Sequence, residues 1–222
     1  MTVAPRTLRG PLQALDPVVL RGRASEAAPL LLGALLVRER DGEQIIARVV
    51  EVEAYEEDDP ASHSTSGRSE RNAAMFAEAG TAYVYRSYGV HWCLNVSVGP
   101  RGRGAAVLLR AAVVVTGLAG VQRRRPGVAS QDALLRGPGC LTAGLDIDRP
   151  RHDGIALLTT AGPLWIAGDG WHPVRRDLAT GPRVGVTRAS EVPWRWYLRG
   201  EPGVSRYRRS ARAGRASSAS RG

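Results

Sequence analysis

A chain of 222 residues with a 43% hydrophobic fraction is long enough to bury a core of its own, and its 31 basic against 21 acidic residues leave a net charge of +10. The pI near 10.8 implies an anionic partner, most simply a phosphate backbone, although a basic tail on an ordinary enzyme would give the same balance. Every basic residue is arginine, which excludes a side-chain amine able to form a Schiff base. Cys93 and Cys140 are solitary and lack zinc or iron–sulfur spacing. No uninterrupted apolar run approaches the ~20 residues of a membrane helix. The expectation is a soluble cytoplasmic protein with no metal and no cofactor.

Residues 1–12, rich in Arg, Pro and Thr, read as a loose arm. Ser25 is a candidate N-cap for a short helix running through Leu32, with Gly33 ending it. Pro29 fits such a helix only near its first turn, where backbone N–H groups lack intrahelical partners. Two strands follow, over 34–40 and 44–55, joined at the hairpin signal Asp41-Gly42. Residues 56–69 open on an acidic run and turn Ser/Thr/Gly-rich, which predicts an irregular loop carrying His63. A short helix is expected over 72–79, then strands over 83–87 and 90–98 flanking Tyr88-Gly89, and another over 105–115. The arginines of 123–127 read as a basic turn. Two helices flank Gly137-Pro138-Gly139, with Pro138 at a favoured first helical position. From there to 204, short apolar runs alternate with Gly and Pro, which suggests further strands. Residues 205–222, almost entirely Ser, Ala, Arg and Gly, read as a disordered tail. The fold class is α+β: one compact domain over 13–204, with a curved, mainly antiparallel β-sheet, flanking short helices and a protruding β-hairpin.

Four of the six tyrosines, Tyr55, Tyr83, Tyr85 and Tyr88, crowd between positions 55 and 88 of a chain that is only 5% aromatic. Tyrosine is a flat surface with a polar tip, suited to gripping a planar ligand. Alternation places Glu51, Glu53 and Tyr55 on one strand face and Val50, Val52 and Ala54 on the other. Carboxylates beside a ring suit a strand lining a site, and they also suit a solvated face. Tyr83, Tyr85 and Ser87 share a face of the next strand. On the strand after it, Val90, Trp92, Leu94, Val96 and Val98 face the core. His91, Cys93, Asn95 and Ser97 are left to look into a cleft, with a surface or core role as the alternative for His91. Tyr88 at the hairpin tip is either a surface residue or a wedge that enters a base stack. Arg110 interrupts an apolar strand and needs a carboxylate or phosphate, unless it snorkels to a sheet edge. The combination points to chemistry on a nucleic-acid base.

These pieces also form an ordered pattern. Val50-Glu-Val-Glu-Ala-Tyr, Ala61-Ser-His-Ser, Arg71-Asn-Ala-Ala-Met-Phe, Tyr83-Val-Tyr-Arg-Ser-Tyr-Gly, Asn95-Val, Val107-Leu-Leu-Arg-Ala and Arg136-Gly-Pro are followed by Arg183-Val-Gly-Val and Trp196-Tyr-Leu-Arg-Gly. From about residue 16 to about 204 the chain resembles the alkyladenine (3-methyladenine) DNA glycosylases of bacteria and vertebrates. The resemblance implies a monomeric, monofunctional enzyme acting on double-stranded DNA. It would hydrolyse the N-glycosidic bond of damaged purines (3-methyladenine, 7-methylguanine, hypoxanthine, ethenoadenine) and leave an abasic site. By that resemblance Glu53 activates water and Arg110 holds the arrangement. Tyr55 stacks on one face of the extruded base, with His63 and Tyr85 on the other. Asn95 hinders the amine of normal guanine, the backbone at Val184 contacts the attacking water, and Tyr88 fills the gap in the duplex. The absence of lysine independently agrees with hydrolysis rather than lyase chemistry. Two other readings stay open: a catalytically silent sensor of damaged DNA, and a single-stranded nucleic-acid-binding module that stacks bases without chemistry.

Overall fold

Glycine and proline punctuation cuts the chain into short elements around one long strand. A computed structural model describes residues 3–210. Its strands are β1 (Gln13–Ala14), β2 (Leu35–Arg40), β3 (Glu43–Tyr55), β4 (Ala82–Ser87), β5 (His91–Ser97), β6 (Ala106–Thr116), β7 (Leu164–Gly168), β8 (Leu178–Gly181) and β9 (Arg195–Leu198). Its α-helices are short: α1 (Ala24–Leu30), α2 (Leu118–Arg124), α3 (Pro138–Leu145) and α4 (Arg149–His152). The strands form one curled antiparallel sheet in the order β1-β7-β2-β3-β6-β5-β4, with β9 pairing both β3 and β8. The expected α+β domain is therefore present, and β4 and β5 make its hairpin.

Strand β3 is the hub. Along one edge it pairs first with β2, from Leu35↔Arg48 to Arg40↔Glu43, and then with β9, from Glu51↔Tyr197 to Glu53↔Arg195. Along the other edge it pairs with β6, where the register slips by one residue at Val50 and slips back at Arg110. The slip changes which parity faces the core. Ile45, Ala47 and Val49 point into the main apolar cluster before it, and Val50, Val52 and Ala54 after it. Glu51, Glu53 and Tyr55 consequently share the opposite face, as alternation predicts. Arg110 is the extra residue of its strand, and a bulge of this kind re-aims a side chain.

The main cluster packs the valine face of the sheet against α1 (Ala24, Ala27, Ala28) and α3 (Leu141, Leu145). The opposite face carries two smaller apolar groups, Leu35/Val37/Ile46/Trp165/Ala167 and Met75/Phe76/Tyr83/Ala106. Arg48, Glu51, Glu53 and Arg110, all on β3 or β6, are buried.

Several local expectations need correction. Arg23, not Ser25, occupies the N-cap position of α1, where its backbone N–H donates to Glu26 Oε2 at 3.0 Å. Ser25 lies in the first turn and donates through both N and Oγ to Glu56 Oε1, each at 3.2 Å. Pro29 sits in the last turn, where the helix has already tightened: Leu31 and Leu32 donate three residues back, to Ala28 and Pro29. The helix expected over 72–79 is a single 3₁₀ turn, Ala73–Phe76, and the first of the two helices around Pro138 is also only a 3₁₀ turn, Gln131–Ala133. Arg123 and Arg124 end α2 rather than forming a turn. That helix starts at Gly117, whose φ of +79° no other residue adopts readily and where a Cβ would lie 2.6 Å from the Gln44 carbonyl. The short helix α4 had no counterpart among the expected strands; Asp148 caps it by accepting from the Arg151 N–H at 3.0 Å.

The N-terminal segment expected as a loose arm is tied down by polar contacts. Ala4 is buried and donates to Glu201 Oε2 at 2.9 Å, and Arg48 donates to the carbonyls of Pro5 and Thr7. The expected tail divides in two. Ser205 bonds to Glu51 and Arg195 of the sheet and residues 206–209 are exposed, while 211–222 fall outside the described residues.

Candidate active site

A cavity of about 1220 Å³ opens on the polar face of the sheet. Tyr55, His63, Tyr83, Tyr85, Tyr88, Cys93, Asn95, Arg110 and Val184 all line it. All the singled-out residues therefore meet at one place except Glu53, which is fully buried and lies just beneath the floor. Its contacts are with lining residues. Glu53 Oε1 accepts from the Val184 N–H at 2.7 Å and lies 3.3 Å from Arg110 Nη1, while Oε2 accepts from the Tyr55 hydroxyl at 2.8 Å. A carboxylate offers about four lone-pair positions, so two hydrogen bonds leave Glu53 with unused acceptor capacity.

Glu51, two residues earlier on the same face, is saturated. It accepts from Arg110 Nε (2.9 Å), Arg195 Nε (2.7 Å), Ser205 Oγ (2.8 Å) and Ser205 N–H (2.8 Å). Burial pushes its carboxyl up, but Arg110, Arg195 and Ser205 together hold it below the usual range. Burial likewise works against the Arg110 charge, and Glu53 and Glu51 more than restore it. Arg110 thus stays a cation locked between two carboxylates.

The ring system has one closed and one open side. The Arg183 guanidinium lies 4.8 Å from the centroid of the Tyr55 ring, so one face of that ring is already occupied. Arg183 is itself buried, ion-paired with Asp59 and donating to the Ala54 carbonyl at 3.0 Å. Being the neighbour of Val184, it anchors the segment that delivers the N–H to Glu53. Across the cavity, Tyr83 and Tyr85 stack at 5.5 Å with planes 27° apart. His63 stands edge-on to Tyr85 at 4.5 Å, and its Nδ1 is 3.0 Å from the Tyr83 hydroxyl. Asn95 donates to the Tyr83 carbonyl at 3.0 Å.

Burial sets the charge state of these groups. It pushes the hydroxyls of Tyr55 and Tyr85 well up, with the Glu53 charge adding to both, and that of Tyr83 up to about 12. It pushes the Cys93 thiol up to about 11. Burial, helped by Arg71, lowers His63, so its imidazole is neutral near pH 7. The rings and the thiol of the pocket are therefore uncharged; Glu51, Glu53 and Arg110 form a charged cluster beside them, and further arginines, among them Arg71, Arg86 and Arg188, stand in the lining. Among the described residues no group of three or more His, Cys, Asp or Glu could hold a metal ion, and no helix is long and apolar enough to cross a membrane.

At the mouth, Tyr88 forms the tip of the β4–β5 hairpin. Tyr88 and Gly89 both have positive φ (48° and 69°), and Val90 N–H donates to the Ser87 carbonyl at 2.9 Å, the geometry of a primed hairpin turn. The Tyr88 side chain is 82% exposed.

The family model for methylpurine-DNA glycosylase matches residues 19–202. The chain belongs to the methylpurine-DNA glycosylase family. Its relatives agree. It is 48% identical over 193 residues to a Nocardia farcinica protein named "Putative 3-methyladenine DNA glycosylase", covering 84% of this chain and 88% of the relative. Proteins with the same name from Rhodopseudomonas palustris and Mycobacterium tuberculosis are 47% identical over 181 residues and 44% identical over 206. These matches cover 82% and 90% of this chain and 85% and 94% of those relatives.

Some residues of this family member's site had no sequence signal. Ser205 was assigned to the tail, and Arg195 carried no mark beyond its place in an aromatic strand. Glu51 shared a face with Glu53 but had no role. Arg183 stood inside a recognised segment, and pairing it with the acidic loop residue Asp59 would have been the available clue.

Proposed function

We propose that this methylpurine-DNA glycosylase family member flips an alkylated or deaminated purine out of duplex DNA and hydrolyses its N-glycosidic bond. The observation that carries the reading is the placing of Glu53, a carboxylate with spare acceptor capacity beneath an aromatic cavity, held by Tyr55, Arg110 and Val184. A base inside a duplex cannot be attacked, so it must leave the stack at a cost of a few kcal/mol. Tyr88 offsets that cost by occupying the gap. A tyrosine held at positive φ carries roughly 1–2 kcal/mol of backbone strain, and burial of Tyr88 in the fold does not compensate it.

In the pocket, the free face of Tyr55 stacks on one side of the purine, and Tyr85 with the edge of His63 bounds the other. Stacking is worth ~1–3 kcal/mol per base. Alkylation at a ring nitrogen makes the purine cationic, which strengthens its attraction to the tyrosine faces and makes it a better leaving group. Asn95, fixed on the Tyr83 carbonyl, hinders the exocyclic amine of an undamaged guanine. Glu53 then takes a proton from the attacking water as the water oxygen bonds to the sugar C1′ and the N-glycosidic bond breaks, a general-base contribution on the order of 10²–10⁴-fold. A cationic alkylated purine departs neutral, and a neutral purine such as hypoxanthine takes up a proton as it leaves. With no lysine in the chain, no side chain can form an imine with the abasic sugar, and the strand stays uncut.

Arginines supply the field for DNA. Arg71, Arg86, Arg188, Arg206 and Arg208 line the cavity and, among the described residues, make no ion pair. The test is incubation with methylated DNA and with duplexes carrying one hypoxanthine or ethenoadenine, followed by assay of free base and of alkali-labile sites. The reading predicts free base and intact strands before alkali. Absence of release from every substrate at excess protein contradicts it, and cleavage before alkali contradicts the monofunctional part.

A further inference from the structure

Residues 204–210 run past the last strand, and Ser205, Arg206 and Arg208 line the cavity. The segment is tied at two points. At the first, Ser205 N–H and Oγ donate to the two oxygens of Glu51 (2.8 Å each), the Ser205 carbonyl accepts from Arg195 Nη2 at 2.7 Å, and Ser205 Oγ accepts from Arg110 Nη2 at 3.3 Å. At the second, the Arg208 carbonyl accepts from the Gly185 N–H at 3.1 Å. Glu53 is held by the Tyr55 hydroxyl, by Arg110 and by the Val184 N–H. The strap touches two of these three supports: Arg110 through Ser205, and the residue beside Val184 through Arg208.

We infer that the strap 205–208 is part of the hydrolytic machinery, with Ser205 as a positioning residue that aims Arg110 at Glu53. This rests on the proposed reading of Glu53. Arg110 has two carboxylates to choose between, and its Nε is committed to Glu51 at 2.9 Å. The position of Glu51 therefore decides where the other end of the guanidinium points. Ser205 supplies two of the four donors that fix Glu51. Removing its hydroxyl leaves the backbone bond in place, lets the Glu51 carboxylate rotate, and takes away an acceptor for Arg110. The chemical step suffers, while the rings that grip the base, Tyr55, Tyr85 and His63, are untouched.

The experiment compares wild type, Ser205→Ala and Ser205→Thr on one duplex containing a single ethenoadenine. It measures single-turnover base release, affinity for the lesion duplex and thermal midpoint. Ser205→Ala should release base about tenfold more slowly, the scale of one lost hydrogen bond to a charged group. Its lesion affinity should stay within about twofold of wild type, since no stacking contact changes. Ser205→Thr, which restores the hydroxyl, should recover most of the rate. The inference is overturned if Ser205→Ala is as fast as wild type, if affinity falls in step with rate, or if Ser205→Thr is as slow as Ser205→Ala. Absence of release by wild type would instead refute the reading of the site itself.

Discussion

Strand β3 carries two buried arginine–carboxylate centres, and they are built differently. At the first, Arg48 is fully buried and spends its guanidinium on the Asp169 carboxylate and on the carbonyls of Pro5, Gly33 and Thr7. One cation meets one anion, and none of these residues lines the cavity. At the second, Arg110 and Arg195 meet Glu51, and Arg110 also meets Glu53 beneath the cavity floor. The first centre is closed and ties the N-terminal segment to the sheet. The second keeps a carboxylate with capacity to spare, itself fully buried but bonded to Tyr55, Arg110 and Val184 of the cavity lining. Burial of an ion pair alone is thus no mark of a site; an incompletely satisfied partner next to a cavity is.

The contrast can be broken at the closed centre first. Arg48→Ala leaves Asp169 charged and unpaired inside the protein, which costs about 3–5 kcal/mol. Denaturant unfolding should show that loss, and the fraction still folded should release base at the wild-type rate. A purely catalytic defect would instead mean that Arg48 belongs to the site. Next in size is Tyr88→Ala, which removes the hairpin tip from an exposed position. Lesion-duplex affinity should fall about tenfold, on the scale of one aromatic stacking contact, with no change in thermal midpoint. Undiminished affinity would reject the wedge.

The closed centre can also be probed by acid titration. Burial pushes the Asp169 carboxyl up, but the Arg48 guanidinium and the Arg9 and Trp171 N–H groups outweigh it and hold it at about 2, below an unfolded value of about 4. A depressed carboxylate contributes stability that is present above its unfolded value and is lost as pH falls from about 4 through about 2. Arg48→Ala should flatten that part of the stability curve. An unchanged acid slope would show that the pair does not set it.

How much of this was legible in the sequence follows from what each feature looks like as a string. The alternation of Glu51, Glu53 and Tyr55 against Val50, Val52 and Ala54 was readable because one face is apolar. The register slips at Val50 and Arg110 were not, since a bulge inserts a residue without altering composition. Tyr85 and Asn95 were marked by alternation and Arg110 by its charge inside an apolar strand, His63 and Val184 were placed in the pocket by the family pattern, and the fold brings all five to one cavity. Ser205 and the N-terminal segment were misread for one reason. Their order comes from hydrogen bonds to distant partners, such as Ser205 to Glu51 and Ala4 to Glu201, and low hydrophobicity hides this kind of anchoring. Glu56 and Asp59 show the same blindness: an acidic run that looks solvated is clamped by Arg23, Arg103 and Arg183.

The most direct test of Glu53 as the water activator is a single substitution measured two ways on one lesion duplex. Glu53→Gln keeps the size of the side chain and one acceptor oxygen, for the Val184 N–H, turns the other position into an NH2 that donates to the Tyr55 hydroxyl oxygen, and removes the base. Lesion affinity should persist while single-turnover release falls on the order of 10²–10⁴-fold. Release by Glu53→Gln at the wild-type rate would contradict the assignment outright.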